Sequence, residues 1–139
     1  MAAATSLVET LAQTALFADL PRPQLEAVVH EFDEEVFAAG QRVLRTGLSG
    51  SGLYIIVDGE AIVNHRGGAE LARLGRGEFF GEVSVFSGEA PAADVTAATM
   101  LRCLVVPRPE VERFLLERPQ VMLRMLRIVS LRLGSVLGS

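Results

Sequence analysis

The sequence predicts an α+β fold: a strand-rich centre that closes as a sandwich or barrel, with short helices before it and two helices after it. Three observations carry this. Between Glu31 and Val106, short runs of strand-forming residues alternate with glycine-rich turns. Ahead of them, apolar residues recur at helical spacing and are broken by Leu20-Pro-Arg-Pro23. Behind them, Pro119 opens a stretch whose apolar residues repeat every three or four positions to about Leu137.

Ser6-Leu-Val-Glu9 has capping-box spacing, so a first helix is expected from about 7 to 16, with Leu7, Leu11 and Leu16 on its apolar stripe. A second short helix begins with a proline near its first turn and carries Leu25, Val28 and Val29. The runs EEVF, RVLRT, LYIIV, EAIVN, ELARL, DVTAAT and LRCLVV then read as strands. Asp58-Gly59, between two of these runs, is the strongest hairpin signal in the chain. Arg66-Gly-Gly-Ala69 is a looser one, and Gly75 and Gly77 mark a sharp bend.

Pro107 and Pro109 end the strand region, and Glu110 to Leu116 fits a short helix. On the last helix, Met122, Leu126, Val129, Leu133 and Val136 form a heptad seam beside a second face of Val121, Met125 and Ile128. One face is expected to cover the strands and the other to form a dimer, the alternative being that both pack within one monomer.

The 139 residues make one domain, long enough to bury a core. Half of them are hydrophobic, yet no apolar run approaches the roughly 20 needed to span a bilayer. Met1 to Ser6 lacks the basic start of a signal peptide, so a soluble, cytoplasmic protein is expected. Cys103 is the single cysteine, which excludes a disulfide framework and a cysteine-rich metal site.

The net charge of −4 divides unevenly. Residues 1–101 hold 6 Arg against 14 acidic residues, and residues 102–139 hold 7 Arg against 3 Glu. Three of the later arginines, Arg124, Arg127 and Arg132, are spread through an apolar helix, too sparse for a surface that tracks phosphates. All 13 basic residues are arginine, which excludes lysine-based chemistry.

The stretch Phe79–Ala97 reads FFGEVSVFSGEAPAADVTA, and it resembles the phosphate-binding cassette of the cyclic-nucleotide-binding domain family, of the catabolite activator protein and protein kinase A regulatory subunit type. That cassette usually runs F-G-E-[LI]-[SA]-L, a short loop, then R-[STA]-A-[TS]-V-x-A. Upstream, Phe37, Gly40, Gln41, Val43, Leu44, Gly47, Leu53, Tyr54, Ile55, Ile56, Val57, Gly59 and Ala61 occupy the matching positions of the family's entry segment. Leu74, Gly75, Gly77, Phe79, Gly81 and Glu82 follow at its spacing.

The resemblance covers nearly the whole chain. It implies an eight-stranded antiparallel β-roll, jelly-roll-like, with the cassette between strands six and seven. A single domain 1–139 would comprise N-terminal helices in 1–30, the roll in 31–106 with the cassette at 79–97, and two C-terminal helices in 108–137.

It also implies a site. A cyclic phosphate would rest against the backbone N–H groups of Val83, Ser84 and Val85, beside Phe80 and Gly81, and Glu82 would accept from the ribose 2′-hydroxyl. Pro91 stands where the family has its arginine, followed by Ala92 and Ala93, and Asp94 adds a negative charge. A charge-assisted contact of the lost type is worth about 1.5–3 kcal/mol, or about one to two powers of ten in affinity. Arg132 matches a helix position from which some members reach toward the nucleotide. It either turns inward to Glu82 or faces solvent.

Other residues point to no chemistry. His30 and His65 lie far apart in the chain, without ligand spacing. Asp33, Glu34 and Glu35 are consecutive and so alternate between sheet faces. Ser84 and Ser87 have no histidine nearby. The expectation is a non-enzymatic regulatory domain with no catalytic residue and no metal. It binds a cyclic nucleotide weakly, cyclic AMP ahead of cyclic GMP, and pairs with itself or a partner through its last helix. It neither binds nucleic acid directly nor spans a membrane, and with no helix-turn-helix after Leu137 it is not by itself a complete transcription factor. The alternative is a ligand-free interaction or dimerisation module on the same fold.

Overall fold

The computed structural model describes residues 2–45, 47, 52–65, 68–91 and 93–137, and the side chains of residues 2–6 and of Val136 lie outside that description. Helices α1 (Ala2–Ala12) and α2 (Arg22–Glu31) lead into β1 (Asp33–Phe37), β2 (Arg42–Leu44), β3 (Gly52–Asp58), β4 (Ala61–Asn64), β5 (Glu70–Leu74) and β6 (Phe79–Phe80). Helix α3 (Glu82–Ser87) separates β6 from β7 (Asp94–Ala97), and β8 (Leu101–Pro107) runs straight into α4 (Arg108–Leu116) and α5 (Pro119–Val136). The strands form two four-stranded antiparallel sheets, ordered β1-β8-β3-β6 and β2-β7-β4-β5.

Two cores follow from the period-2 alternation of β3 and β8. Leu53, Ile55 and Val57 of β3 and Leu104 and Val106 of β8 face the helices, where they meet Leu11, Phe17, Val28, Phe114 and Val121. Tyr54 and Ile56 of β3 and Leu101, Cys103 and Val105 of β8 face the second sheet and meet Phe37, Leu74, Phe80 and Val95. With both of its faces covered, β3 is a continuous apolar run, whereas β5, exposed except at Leu74, is mixed.

The first helix departs from expectation. It starts at Ala2 and ends at Ala12, so Ser6 lies inside it and no capping box forms there. Ala2, Ala3 and Ala4 are strong helix formers that carry the helix back past Ser6. Leu16 is buried in the turn that follows, where Arg124 of α5 donates to the carbonyls of Leu16 at 3.1 Å and of Ala18.

Asp58-Gly59 is not a hairpin, because β3 and β4 belong to different sheets. The chain turns a corner there. Gly59 has φ 90°, and a Cβ on it would lie 2.2 Å from the Met100 carbonyl oxygen. The β4–β5 pair is a hairpin, closed by His65 N–H to Ala69 O at 2.7 Å, with Arg66 and Gly67 outside the described residues. Of the two glycines at the next bend, Gly77 has positive φ and Gly75 does not.

On α5, Val121 and Met125 are buried, and Ile128 and Val129 pack half-buried on the helical core. Val129 therefore leaves the expected outer seam for the inner face. Met122, Leu126 and Leu133 are exposed, and the side chain of Val136 lies outside the described residues.

Candidate functional site

The two residues of β6 pair with β3, Ile55 opposite Phe79 and Tyr54 opposite Phe80, and so point to opposite faces. Phe80 stacks on Tyr54 between the sheets, ring centroids 4.9 Å apart. Phe79 points toward the helices.

Gly81 follows in the left-handed region at φ 94°, and a Cβ there would sit 2.2 Å from the Gly52 carbonyl oxygen. Only glycine reverses the chain this close to β3. The reversal launches α3, a short helix that ends on a second left-handed glycine, Gly88.

Glu82, the first residue of α3, is 7% exposed. Burial pushes its carboxyl above the ordinary value of 4.5, while its own backbone N–H and the Arg132 guanidinium pull it back. Arg132 turns inward from α5. Its Nη1 is 3.6 Å from Glu82 Oε2, an ion pair beyond hydrogen-bond range, and its Cζ lies 4.4 Å from the Phe79 ring centroid. Its Nη2 is buried without a hydrogen-bond partner, the one such side-chain atom among the described residues.

The remaining predicted residues divide. Val83 is exposed in the first turn of α3. The Val85 N–H is already donated to Gly81 O at 3.3 Å, so it is not an open donor for an anion as expected. Ser84 is buried, and its hydroxyl donates to Glu89 O at 2.6 Å. Pro91 is buried and its carbonyl accepts from Gly47 N–H at 3.0 Å, Ala93 is half-buried, and Ala92 lies outside the described residues. Asp94 opens β7 opposite Asn64.

Two residues beside the site escape a reading of the sequence. Phe79 carries the Arg132 guanidinium, and the signal for it was the alternation of β6, which turns one phenylalanine away from the other. Arg108, at the start of α4, donates to the Ser84 carbonyl and approaches its hydroxyl at 3.4 Å. No local pattern announces that contact.

Elsewhere, His30 and His65 are both exposed, and no group of three or more His, Cys, Asp or Glu is placed to hold a metal among the described residues. Glu34 pairs with Arg102 at 2.9 Å. Cys103 is fully buried, and burial with Glu35 and Glu34 nearby pushes its thiol up to about 12, leaving it inert.

Comparison with known proteins agrees with this arrangement. A family model described as the cyclic nucleotide-binding domain matches residues 34–118. The chain is 32% identical over 117 residues to glutaminase 2 of Bradyrhizobium diazoefficiens, covering 84% of this chain and 19% of that protein. It is 27% identical over 129 residues to the CRP-like cAMP-activated global transcriptional regulator of Mycobacterium tuberculosis, covering 90% of this chain and 58% of that protein. Among solved structures, the catabolite activator protein of Thermus thermophilus superposes with a TM-score of 0.77 at 25% identity, over 88% of this chain and 60% of that one. The chain thus spans less than two thirds of each of these relatives.

Proposed function

The chain belongs to the cyclic nucleotide-binding domain family, and from that premise we propose that it is a non-enzymatic regulatory domain that takes a cyclic nucleotide beside Glu82, cyclic AMP ahead of cyclic GMP, with weakened affinity. One observation carries the reading: a buried carboxylate faces an arginine that lacks an acceptor for one buried N–H. A buried donor left unmade costs about 1–3 kcal/mol, and burial of the Glu82 charge is unfavourable as well. A ribose hydroxyl donating to Glu82 and an oxygen accepting from Arg132 Nη2 would relieve both.

The affinity is set by what is missing. Pro91 offers neither charge nor N–H where the family has arginine, Val85 N–H is committed, and Asp94 adds a negative charge. Arg132 pairs with Glu82, and its guanidinium is already shared with the Phe79 ring.

Several features support a regulatory role without catalysis. The Ser84 hydroxyl is engaged with Glu89 O, and Ser87 Oγ accepts from Glu89 N–H, so neither is poised as a nucleophile. The positive C-terminal part is largely spent inside the molecule: Arg108 on Ser84, Arg113 and Arg118 on Glu31, Arg124 on Leu16 and Ala18, and Arg132 on Glu82. That argues against direct nucleic-acid binding. No helix among the described residues is long and apolar enough to cross a membrane. A cytoplasmic location is part of the proposal.

Calorimetric titration with cyclic AMP and cyclic GMP tests the reading. Micromolar binding that disappears in Glu82→Ala supports it, and no heat at millimolar nucleotide sinks it.

The alternative, a ligand-free interaction or dimerisation module, has its own observation. Helix α5 leaves Met122, Leu126 and Leu133 exposed on a face that the strands do not cover. The two readings are compatible if that face is where a bound nucleotide is reported to a second copy.

A further inference from the structure

Helix α3 is held at both ends by the elbow where β8 turns into α4. At its start, Gly81 abuts the carbonyl of Gly52, whose register partner across β3–β8 is Pro107, and a Cβ on Gly52 would lie 2.1 Å from Val106 O. At its end, Arg108, the next residue after Pro107, donates through Nη2 to the carbonyl of Ser84 and sets Nη1 3.4 Å from the Ser84 hydroxyl.

Ser84 is 4% exposed and serves three neighbours. Its carbonyl also accepts from Gly88 N–H at 3.1 Å, and its hydroxyl donates to Glu89 O at 2.6 Å. The loop that leads from Gly88 to Pro91 therefore hangs from the residue that Arg108 grips. A guanidinium suits this contact because its fork reaches two oxygens at once and its charge favours carbonyls at a helix end.

Helix α4 buries Val111, Phe114 and Leu115 in the same core as Val121 and Met125 of α5, and α5 returns to the site through Arg132. A closed ring results: Glu82, α3, Ser84, Arg108, α4, α5, Arg132 and back to Glu82. The site thus meets the C-terminal helices at two charged contacts, Arg132 for α5 and Arg108 for α4.

We propose that Arg108 is a positioning residue that ties the cassette helix to the first turn of α4, so that nucleotide seated at Glu82 is felt in α4 through Ser84. The proposal rests on the reading of the site given above. Arg108 contacts Ser84, whereas Glu82 pairs with Arg132, so removal of Arg108 separates binding from relay.

The experiment is hydrogen–deuterium exchange on the full chain with and without 1 mM cyclic AMP, run beside calorimetry. In the wild type, nucleotide slows exchange over residues 79–97, 108–116 and 119–137. In Arg108→Met, binding persists within about threefold and 79–97 still responds, but the response over 108–116 is lost while that over 119–137 remains. Arg108→Lys, which keeps the charge and one of the two contacts, restores part of the response and serves if the methionine variant does not fold. Full relay to 108–116 in Arg108→Met or undiminished relay in Arg108→Lys overturns the proposal, as does a wild type that binds nucleotide without responding there. No binding and no exchange change anywhere in the wild type overturns the nucleotide reading itself, and the relay with it.

Discussion

Arg132 reaches Glu82 across 3.6 Å without hydrogen bonding to it, and its guanidinium lies 4.4 Å from the Phe79 ring centroid instead. The pair attracts but leaves donor capacity open, and the carboxylate remains a buried charge whose desolvation outweighs the arginine. A site arranged to receive a ligand has this character, and its stability and pH dependence follow from it.

Glu82→Gln is expected to raise the melting temperature of the ligand-free protein at neutral pH by a few degrees, on the order of 1 kcal/mol. The sign follows from the raised folded-state value of Glu82. Its contribution to stability is fully present below the ordinary 4.5 and is lost as pH rises through the higher folded value. The gain of the glutamine variant over wild type should therefore be largest near pH 7 and vanish on acidification below about 4.5. Thermal melts of both proteins across this range check it. A variant less stable than wild type at pH 7 refutes the assignment of burial as the dominant influence.

Arg132→Met should act in the opposite direction. It strips Glu82 of its nearby cation, and although the unmet Nη2 donor goes with it, the uncompensated buried carboxylate leaves the ligand-free protein about 1 kcal/mol less stable at neutral pH, a loss recovered as Glu82 protonates. In the double variant with Glu82→Gln most of that loss disappears. A double-mutant cycle by urea unfolding measures the coupling, and strictly additive effects show that the pair does not interact.

Gly81→Ala introduces a Cβ 2.2 Å from Gly52 O at a φ of 94°. Both the contact and the conformation resist it, so the cost is about 3 kcal/mol, or roughly 10 °C in melting temperature. Gly88→Ala shares the positive φ but meets nothing within 4 Å and should cost about 1 kcal/mol. Equal losses at the two glycines show that the close approach to β3 contributes nothing.

Pro91→Arg tests the origin of the proposed weak affinity. The residue is buried and its carbonyl is held by Gly47 N–H, a bond that the substitution leaves available. If the missing charge is the main defect, cyclic AMP affinity rises at least tenfold, as expected for a charge-assisted hydrogen bond of about 1.5–3 kcal/mol. Unchanged affinity by calorimetry shifts the defect to the committed Val85 N–H and to Asp94.

Much of this architecture is legible locally, because alternation and turn chemistry act over a few residues. The runs LYIIV and LRCLVV became β3 and β8, and Pro119 opens α5. What failed was non-local. Asp58-Gly59 marks a tight turn correctly, but no local signal says whether the next strand pairs with the last one or, as here, crosses to the other sheet, with Gly59 lying against the Met100 backbone. The cap at Ser6 is a local exception: its spacing fits a cap, but the helix-forming alanines just before it carry the helix past it. At the site, Gly81 and Glu82 stand out in the sequence. Arg108 on Ser84, 24 residues away, depends on how β8 delivers α4 and could be found only in three dimensions.

The outer face of α5 yields the last prediction. Leu126 and Leu133, 59% and 56% exposed, stand one heptad apart, with Met122 one turn before Leu126. Exposed apolar residues scattered singly need no explanation, but a row along one helix face does. Light scattering after size exclusion is expected to report twice the 14.9 kDa chain mass at micromolar concentration. Leu126→Glu should return it to the monomer mass, because two carboxylates would meet at a self-paired seam. The substitution should change monomer stability by no more than about 0.5 kcal/mol, since Leu126 contributes nothing to the buried cores. A wild type that elutes as a monomer, with or without cyclic AMP, refutes the self-paired seam.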